Sequence, residues 1–154
     1  MAERTAIRKP PVNRPPIPAG AKLLFSEKIS STPAALDSLI AEVIGVLGSC
    51  GCVDGQRAEI ELALREALAN AILHGNDADP RKRVELDCYQ QKDRSLLLVV
   101  RDQGRGFSQG NLRNPLRPEN ILRAGGRGIF LIRHFMDDVR FTHGGSEIRM
   151  RKKL

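Results

Sequence analysis

Residues Glu61 to Asn76 read ELALREALANAILHGN. On a helix, Glu66, Asn70 and His74 stand at i, i+4 and i+8 and form one polar stripe. Leu64, Leu68 and Ile72 form a second stripe, two residues out of phase, on the opposite side of the cylinder. Ala63, Ala67 and Ala71 flank the apolar stripe and let neighbouring elements come close. One face therefore belongs to a core, and another carries a carboxylate, a carboxamide and an imidazole. Gly75 is expected to stop the helix, as a glycine just past a helix end does.

Upstream, Lys22 to Ile29 (KLLFSEKI) reads as a strand. Thr32 is an N-cap candidate, and Pro33 suits the first helical position. Leu36, Leu39, Ile40, Val43, Ile44 and Leu47 repeat with a helical period, so a helix runs to about Leu47, where Gly48 and Gly51 are expected to break it. Asp54 is the expected cap of the next helix. Downstream, Val84, Leu86 and Cys88 alternate with Glu85, Asp87 and Tyr89, the pattern of a half-buried strand. After a polar turn at Lys92 to Arg94, Leu96 to Val100 is a continuous apolar run, a strand buried on both faces. Ser108 to Arg123 is polar, contains two prolines and shows little periodicity, as a functional lid or a mobile segment does. Gly125 to Gly128 lead into an apolar-periodic helix over Ile129 to Met136. Val139 to Thr142 and Glu147 to Arg151 read as strands joined at Gly144-Gly145. Strands and helices in this order predict an α+β fold: a two-layer α/β sandwich with helices on one face of a mainly antiparallel, mixed sheet.

At 154 residues the chain suffices for one domain with one core. Residues 1–20 hold five prolines and four basic residues against Glu3, the composition of a disordered tail, leaving 21–154 as the domain. No apolar run approaches a membrane span and no N-terminal apolar segment marks secretion, so no membrane association and a cytoplasmic location are expected. Cys50, Cys52 and Cys88 lack the spacing of a disulfide framework or zinc site and read as reduced, buried or half-buried thiols. The net charge of +7 invites nucleic acid, but there is no Trp and one Tyr, so no stacking platform is evident. Direct nucleic-acid binding is not expected.

Two glycine-rich turns carry the ligand chemistry. Asp102 ends the buried strand and is followed by Gly104 and Gly106. Glycines there admit positive φ and the close approach of a flat ligand, and the aspartate can accept from an exocyclic amine such as that of adenine. Gly126 and Gly128 stand at a helix start, where free N–H groups suit phosphate oxygens, with Arg123 and Arg127 adding charge. Neither turn is G-x-G-x-x-G, since Gln109 and Leu131 occupy the third glycine positions, and no P-loop occurs. On the helix, Glu66 can act as general base or orient a hydroxyl or water, and the Asn70 oxygen is a hard ligand for Mg²⁺. His74 is expected to cap the helix or pack beside the site.

The order E-x-x-x-N-x-x-x-H-G, D-x-G-x-G-F, lid, G-x-G-I resembles the GHKL ATPases, the group of gyrase-type topoisomerases, the heat-shock chaperone, histidine kinases and mismatch-repair ATPases. In that resemblance Glu66 and Asn70 belong to the N box. Asp102, Gly104, Arg105, Gly106 and Phe107 form the first glycine box, and Gly126, Arg127, Gly128 and Ile129 the second. The free-standing domain, GRGIFLIRHFMDDV from Gly126 to Val139, and the Gly145-Ser146 step look most like the small anti-sigma serine/threonine kinases of bacterial partner switching. The resemblance implies Mg²⁺ and ATP, phosphorylation of a STAS-domain anti-sigma factor antagonist, sequestration of a sigma factor, and a homodimer. It assigns Glu66 to catalysis, Asn70 to the metal, and Asp102, Gly104, Arg105, Gly106, Phe107, Arg123, Gly126, Arg127, Gly128, Ile129 and Ser146 to the nucleotide. Two rivals remain: a histidine-kinase catalytic domain acting on a separate hairpin protein, and a nucleotide-gated binding module that holds a partner without phosphorylating it.

Overall fold

The computed structural model describes residues 16–53, 55–105 and 126–154. Five strands, β1 (Lys22–Ser30), β2 (Arg83–Gln90), β3 (Leu96–Arg101), β4 (Asp138–Thr142) and β5 (Glu147–Lys152), pair in the order β1-β2-β3-β5-β4. Every pairing among the described residues is antiparallel, so the expected mixed character is absent from them. Among the described residues three helices, α1 (Pro33–Ser49), α2 (Arg57–Asn70) and α3 (Gly126–Phe135), join the sheet in an α+β sandwich. The lid expected at Ser108 to Arg123 lies outside the described residues.

The Thr32 hydroxyl accepts from the Ala35 N–H at 3.3 Å and opens α1, with Pro33 as its first residue. Gly48 does not break this helix, which runs through it to Ser49. Leu47, fully buried, holds that turn against the core, and the left-handed residue beyond it is Gly51, at φ 68°. The cap position of α2 is Gln56, which makes no side-chain cap bond. Asp54, expected there, falls outside the described residues.

The core lies between the helices and one sheet face. Leu39, Val43, Leu47, Ile60, Leu64 and Leu68 meet Val84, Leu86, Leu98, Val100 and Met150. Burying large aliphatic side chains of this kind contributes about 1.5–3 kcal/mol each. β3 is buried on both faces, as its unbroken apolar run predicts. Leu96, Leu98 and Val100 join the core, whereas Arg101, which ends the strand, is held by ion pairs. The Arg101 guanidinium donates from Nη1 to Asp87 Oδ2 at 2.6 Å and from Nε to Glu147 Oε2 at 2.5 Å. Glu147 also accepts from Thr142 Oγ1 at 2.8 Å and Arg149 Nε at 2.7 Å. Asp87 is therefore buried, a departure from the half-exposed alternation expected of β2.

Cys52 and Cys88 are buried and outside any disulfide, but Cys50 is exposed because it caps α1 at the surface. Burial pushes the Cys88 thiol well above its ordinary range, which keeps it protonated. Among the described residues no helix is long and apolar enough to cross a membrane.

Candidate nucleotide site

The α2 helix divides as its sequence requires. Ala63, Leu64, Ala67 and Leu68 are buried, and Glu66 and Asn70 stand half-buried on another face. The first turn of α3 lies directly over that pair. A Cβ added to Gly128 would stand 2.8 Å from Glu66 Oε2, 3.1 Å from Asn70 Nδ2 and 3.5 Å from Asn70 Oδ1. Only a glycine lets the two helices approach so closely without displacing these side chains. Gly126, Arg127 and Gly128 belong to the helix itself rather than to a turn before it. The N-terminal end of a helix carries a positive dipole, and the Gly126–Phe135 helix sets that end beside one carboxylate and one carboxamide.

The polar stripe does not continue to His74. The α-helix gives way at Ala71 to a π-turn, Ala71–Gly75, closed by the Asn76 N–H donating to the Ala71 carbonyl at 2.9 Å. The extra residue in that turn takes His74 out of the row, and it is exposed. The same turn corrects the expectation for Gly75. Its φ is not in the left-handed region, and it is the last residue of the π-turn rather than a cap. It is glycine because a Cβ there would lie 2.3 Å from Asp102 Oδ2.

Asp102 follows the end of β3 and is held on several sides. Its N–H donates to the Ser146 carbonyl at 2.9 Å, and its Oδ1 accepts from the Gly104 N–H at 2.8 Å. Gly104 also has no positive φ, but a Cβ on it would lie 1.9 Å from the Gly75 carbonyl oxygen. Close packing of backbone on backbone, not an unusual dihedral, requires both glycines. Burial raises the Asp102 carboxyl above its ordinary value, while the Gly104 N–H and the Lys82 charge act in the opposite sense.

The remaining expected site residues divide. Arg105 and Arg127 are exposed, and Ile129 is half-buried. The Ser146 hydroxyl donates to the His143 carbonyl at 3.0 Å, so it is the Ser146 backbone that reaches Asp102. Gly106, Phe107 and Arg123 lie outside the described residues. Among the described residues no group of three or more His, Cys, Asp or Glu side chains is arranged to hold a metal ion. The donor set at Asn70 fits a hard cation only as one amide oxygen supplemented by ligand oxygens and water, the habit of Mg²⁺.

One residue of this site escapes sequence reasoning. Asn76 is fully buried. Its Nδ2 donates to Ser31 Oγ at 2.7 Å and to the Arg83 carbonyl at 2.9 Å, and its Oδ1 accepts from the Gln103 N–H at 2.8 Å. A polar residue after a helix ordinarily signals a surface turn. Only its place directly after His74-Gly75 could have drawn notice.

The chain is similar to several known proteins. Residues 29–152 match the model of the histidine kinase-like ATPase domain. An anti-sigma F factor from Oceanobacillus iheyensis is 33% identical over 103 residues, 62% of this chain and 68% of that protein. The serine-protein kinase RsbW of Staphylococcus epidermidis is 31% identical over 117 residues, 71% of this chain and 74% of that protein. A solved histidine kinase domain from the Erythrobacter litoralis EL346 blue-light activated histidine kinase aligns with a TM-score of 0.49 at 18% identity, covering 79% of this chain and 63% of that one. With a family match spanning most of its length and the two glycine wedges in place, the chain belongs to the histidine kinase-like ATPase domain family.

Proposed function

We propose that this protein is an ATP-dependent serine/threonine kinase and anti-sigma factor. Its substrate would be a STAS-domain anti-sigma factor antagonist, its second partner a sigma factor, and its working form a cytoplasmic homodimer. The observation that carries the kinase reading is the seating of the α3 N-terminus over Glu66 and Asn70, with Asp102 wedged between Gly75 and Gly104 at the π-turn that follows Asn70. The names of the relatives support a sigma factor as partner and serine phosphorylation as the activity.

The chemistry divides along α2. Asp102 accepts from the adenine amine, and the glycines beside it leave room for the flat base. The N–H groups of the first turn of α3, with Arg127, bind phosphate oxygens. Asn70 Oδ1 would hold Mg²⁺, which when bound offsets phosphate charge. Glu66 accepts a hydrogen bond from the serine or threonine hydroxyl of the partner and aligns it with the γ-phosphorus. The new O–P bond forms as the bond to the β–γ bridging oxygen breaks. The hydroxyl proton passes to Glu66, and ADP leaves. Positioning and charge stabilisation supply most of the acceleration in such transfers.

The test mixes purified protein with labelled ATP, Mg²⁺ and a candidate STAS-domain protein. Phosphoserine or phosphothreonine on the partner, lost in Glu66→Ala, is the expected result. ATP binding without transfer to any tested partner would favour the nucleotide-gated binding module. ATP affinity unchanged by Asp102→Ala would sink the adenine assignment.

A further inference from the structure

We infer that Asn76 is a positioning residue for the nucleobase end of the site: it fixes the Asp102 carboxylate against Gly75 and thereby sets the preference for adenine. The inference rests on the ATP-binding reading above and adds to it a residue outside the helix stripe and both glycine turns.

Asn76 joins four segments through one side chain. Ser31 follows β1, Arg83 begins β2, Gln103 follows Asp102, and Asn76 itself closes the π-turn of α2. The orientation of its amide is dictated by its partners. The Arg83 carbonyl can only accept, and the Gln103 N–H can only donate, so Nδ2 must face the first and Oδ1 the second. The Ser31 hydroxyl donates onward to the Lys82 carbonyl at 3.2 Å, which leaves its oxygen to accept from Nδ2. Neither a carboxylate nor a hydroxyl could satisfy all three partners.

The consequence falls on Asp102. Its own N–H is anchored to the Ser146 carbonyl on one side, and the next N–H, of Gln103, is anchored to Asn76 on the other. The Gln103 side chain closes the ring by accepting from the Arg83 N–H at 2.6 Å. The Asp102 backbone therefore cannot move relative to Gly75 without breaking a bond in which Asn76 or Ser146 takes part, and from that fixed backbone the Gly104 N–H holds the carboxylate. Adenine presents an amine where guanine presents a carbonyl oxygen. A carboxylate held in place accepts from the first and repels the second, whereas a displaced one discriminates less.

The experiment compares ATP and GTP dissociation constants by calorimetry for the full-length wild type, Asn76→Asp, Asn76→Ala and Ser31→Ala, with hydrogen exchange followed at the Gln103 amide. Asn76→Ala loses all three of these hydrogen bonds, Asn76→Asp the two that Nδ2 donates, and Ser31→Ala one; the ATP-over-GTP preference is expected to fall about tenfold in the Asn76 variants and less in Ser31→Ala. Exchange at Gln103 is expected to quicken in each. Folded variants that bind both nucleotides more weakly by the same factor, or keep the wild-type preference, would overturn the inference and leave Asn76 a purely structural residue. If the Asn76 variants do not fold, Ser31→Ala decides by the same two readouts. A wild type that binds ATP and GTP equally would instead overturn the assignment of Asp102 to the adenine amine, and one that binds neither would overturn the nucleotide reading beneath it.

Discussion

Replacing Gly75 with alanine adds one methyl group at the point where the π-turn after α2 meets Asp102. The new Cβ would lie 2.3 Å from Asp102 Oδ2, 2.4 Å from Cγ and 2.9 Å from Oδ1. Real contacts are not so short, so Asp102 must move. The backbone itself tolerates alanine, because Gly75 is not at positive φ, and the loss of glycine flexibility stabilises by about 0.5–1 kcal/mol. Against this, moving the carboxylate from the Gly104 N–H costs about 1.5–3 kcal/mol, as for hydrogen bonds to charged groups. The net loss of stability is then about 0.5–2.5 kcal/mol. The nucleotide suffers more in proportion, because the displaced carboxylate no longer meets the base amine. Loss of that charge-assisted bond weakens ATP binding by roughly 10- to 150-fold. Urea denaturation and calorimetric titration with ATP measure the two quantities on the same protein. Gly45→Ala is the control: nothing lies within 4 Å of its added Cβ, so it should gain about 0.5–1 kcal/mol and bind ATP as the wild type does. A folded Gly75→Ala protein with wild-type ATP affinity would refute the reasoning, and so would an equal loss in the control.

Gly128→Ala tests the other end of the site. Its Cβ meets the mobile tips of Glu66 and Asn70, so stability should change by less than about 1 kcal/mol, while transfer to a partner falls at least tenfold in a phosphorylation assay. Arg101→Met should destabilise by about 3–5 kcal/mol in urea, because Asp87 and Glu147 are left buried without their shared cation. The acid limb of stability gives a second readout. Burial alone would raise the Glu147 carboxyl, but hydrogen bonds from Arg149 and Thr142 and the Arg101 charge prevail and hold it below the ordinary 4.5. A depressed carboxyl contributes stability above its unfolded value and loses it as pH falls through the folded one. Wild-type stability should therefore decline below about pH 4.5, and Arg101→Met, lacking one of the groups that depress Glu147, should decline less over the same range.

The elements of this protein are legible from local pattern. The period of Leu39, Ile40, Val43 and Leu47, the cap at Thr32, and the unbroken apolar run of β3 each depend on residues within a few positions, so sequence determines them. Glu66 and Asn70 were likewise readable as one stripe, since helical spacing is local. What tertiary structure decided is which partner each residue meets. Gly75 and Gly104 look like ordinary turn glycines, yet both exist because segments far apart in sequence press together there. The π-turn that removes His74 from the stripe and swings Asn76 inward answers to packing, not to helix propensity. The burial of Asp87 likewise depends on Arg101 and Glu147, residues from two other strands, and alternation within β2 cannot reveal it. Side-chain pattern along the chain is a one-dimensional signal, and contacts between strands and helices distant in sequence are not contained in it.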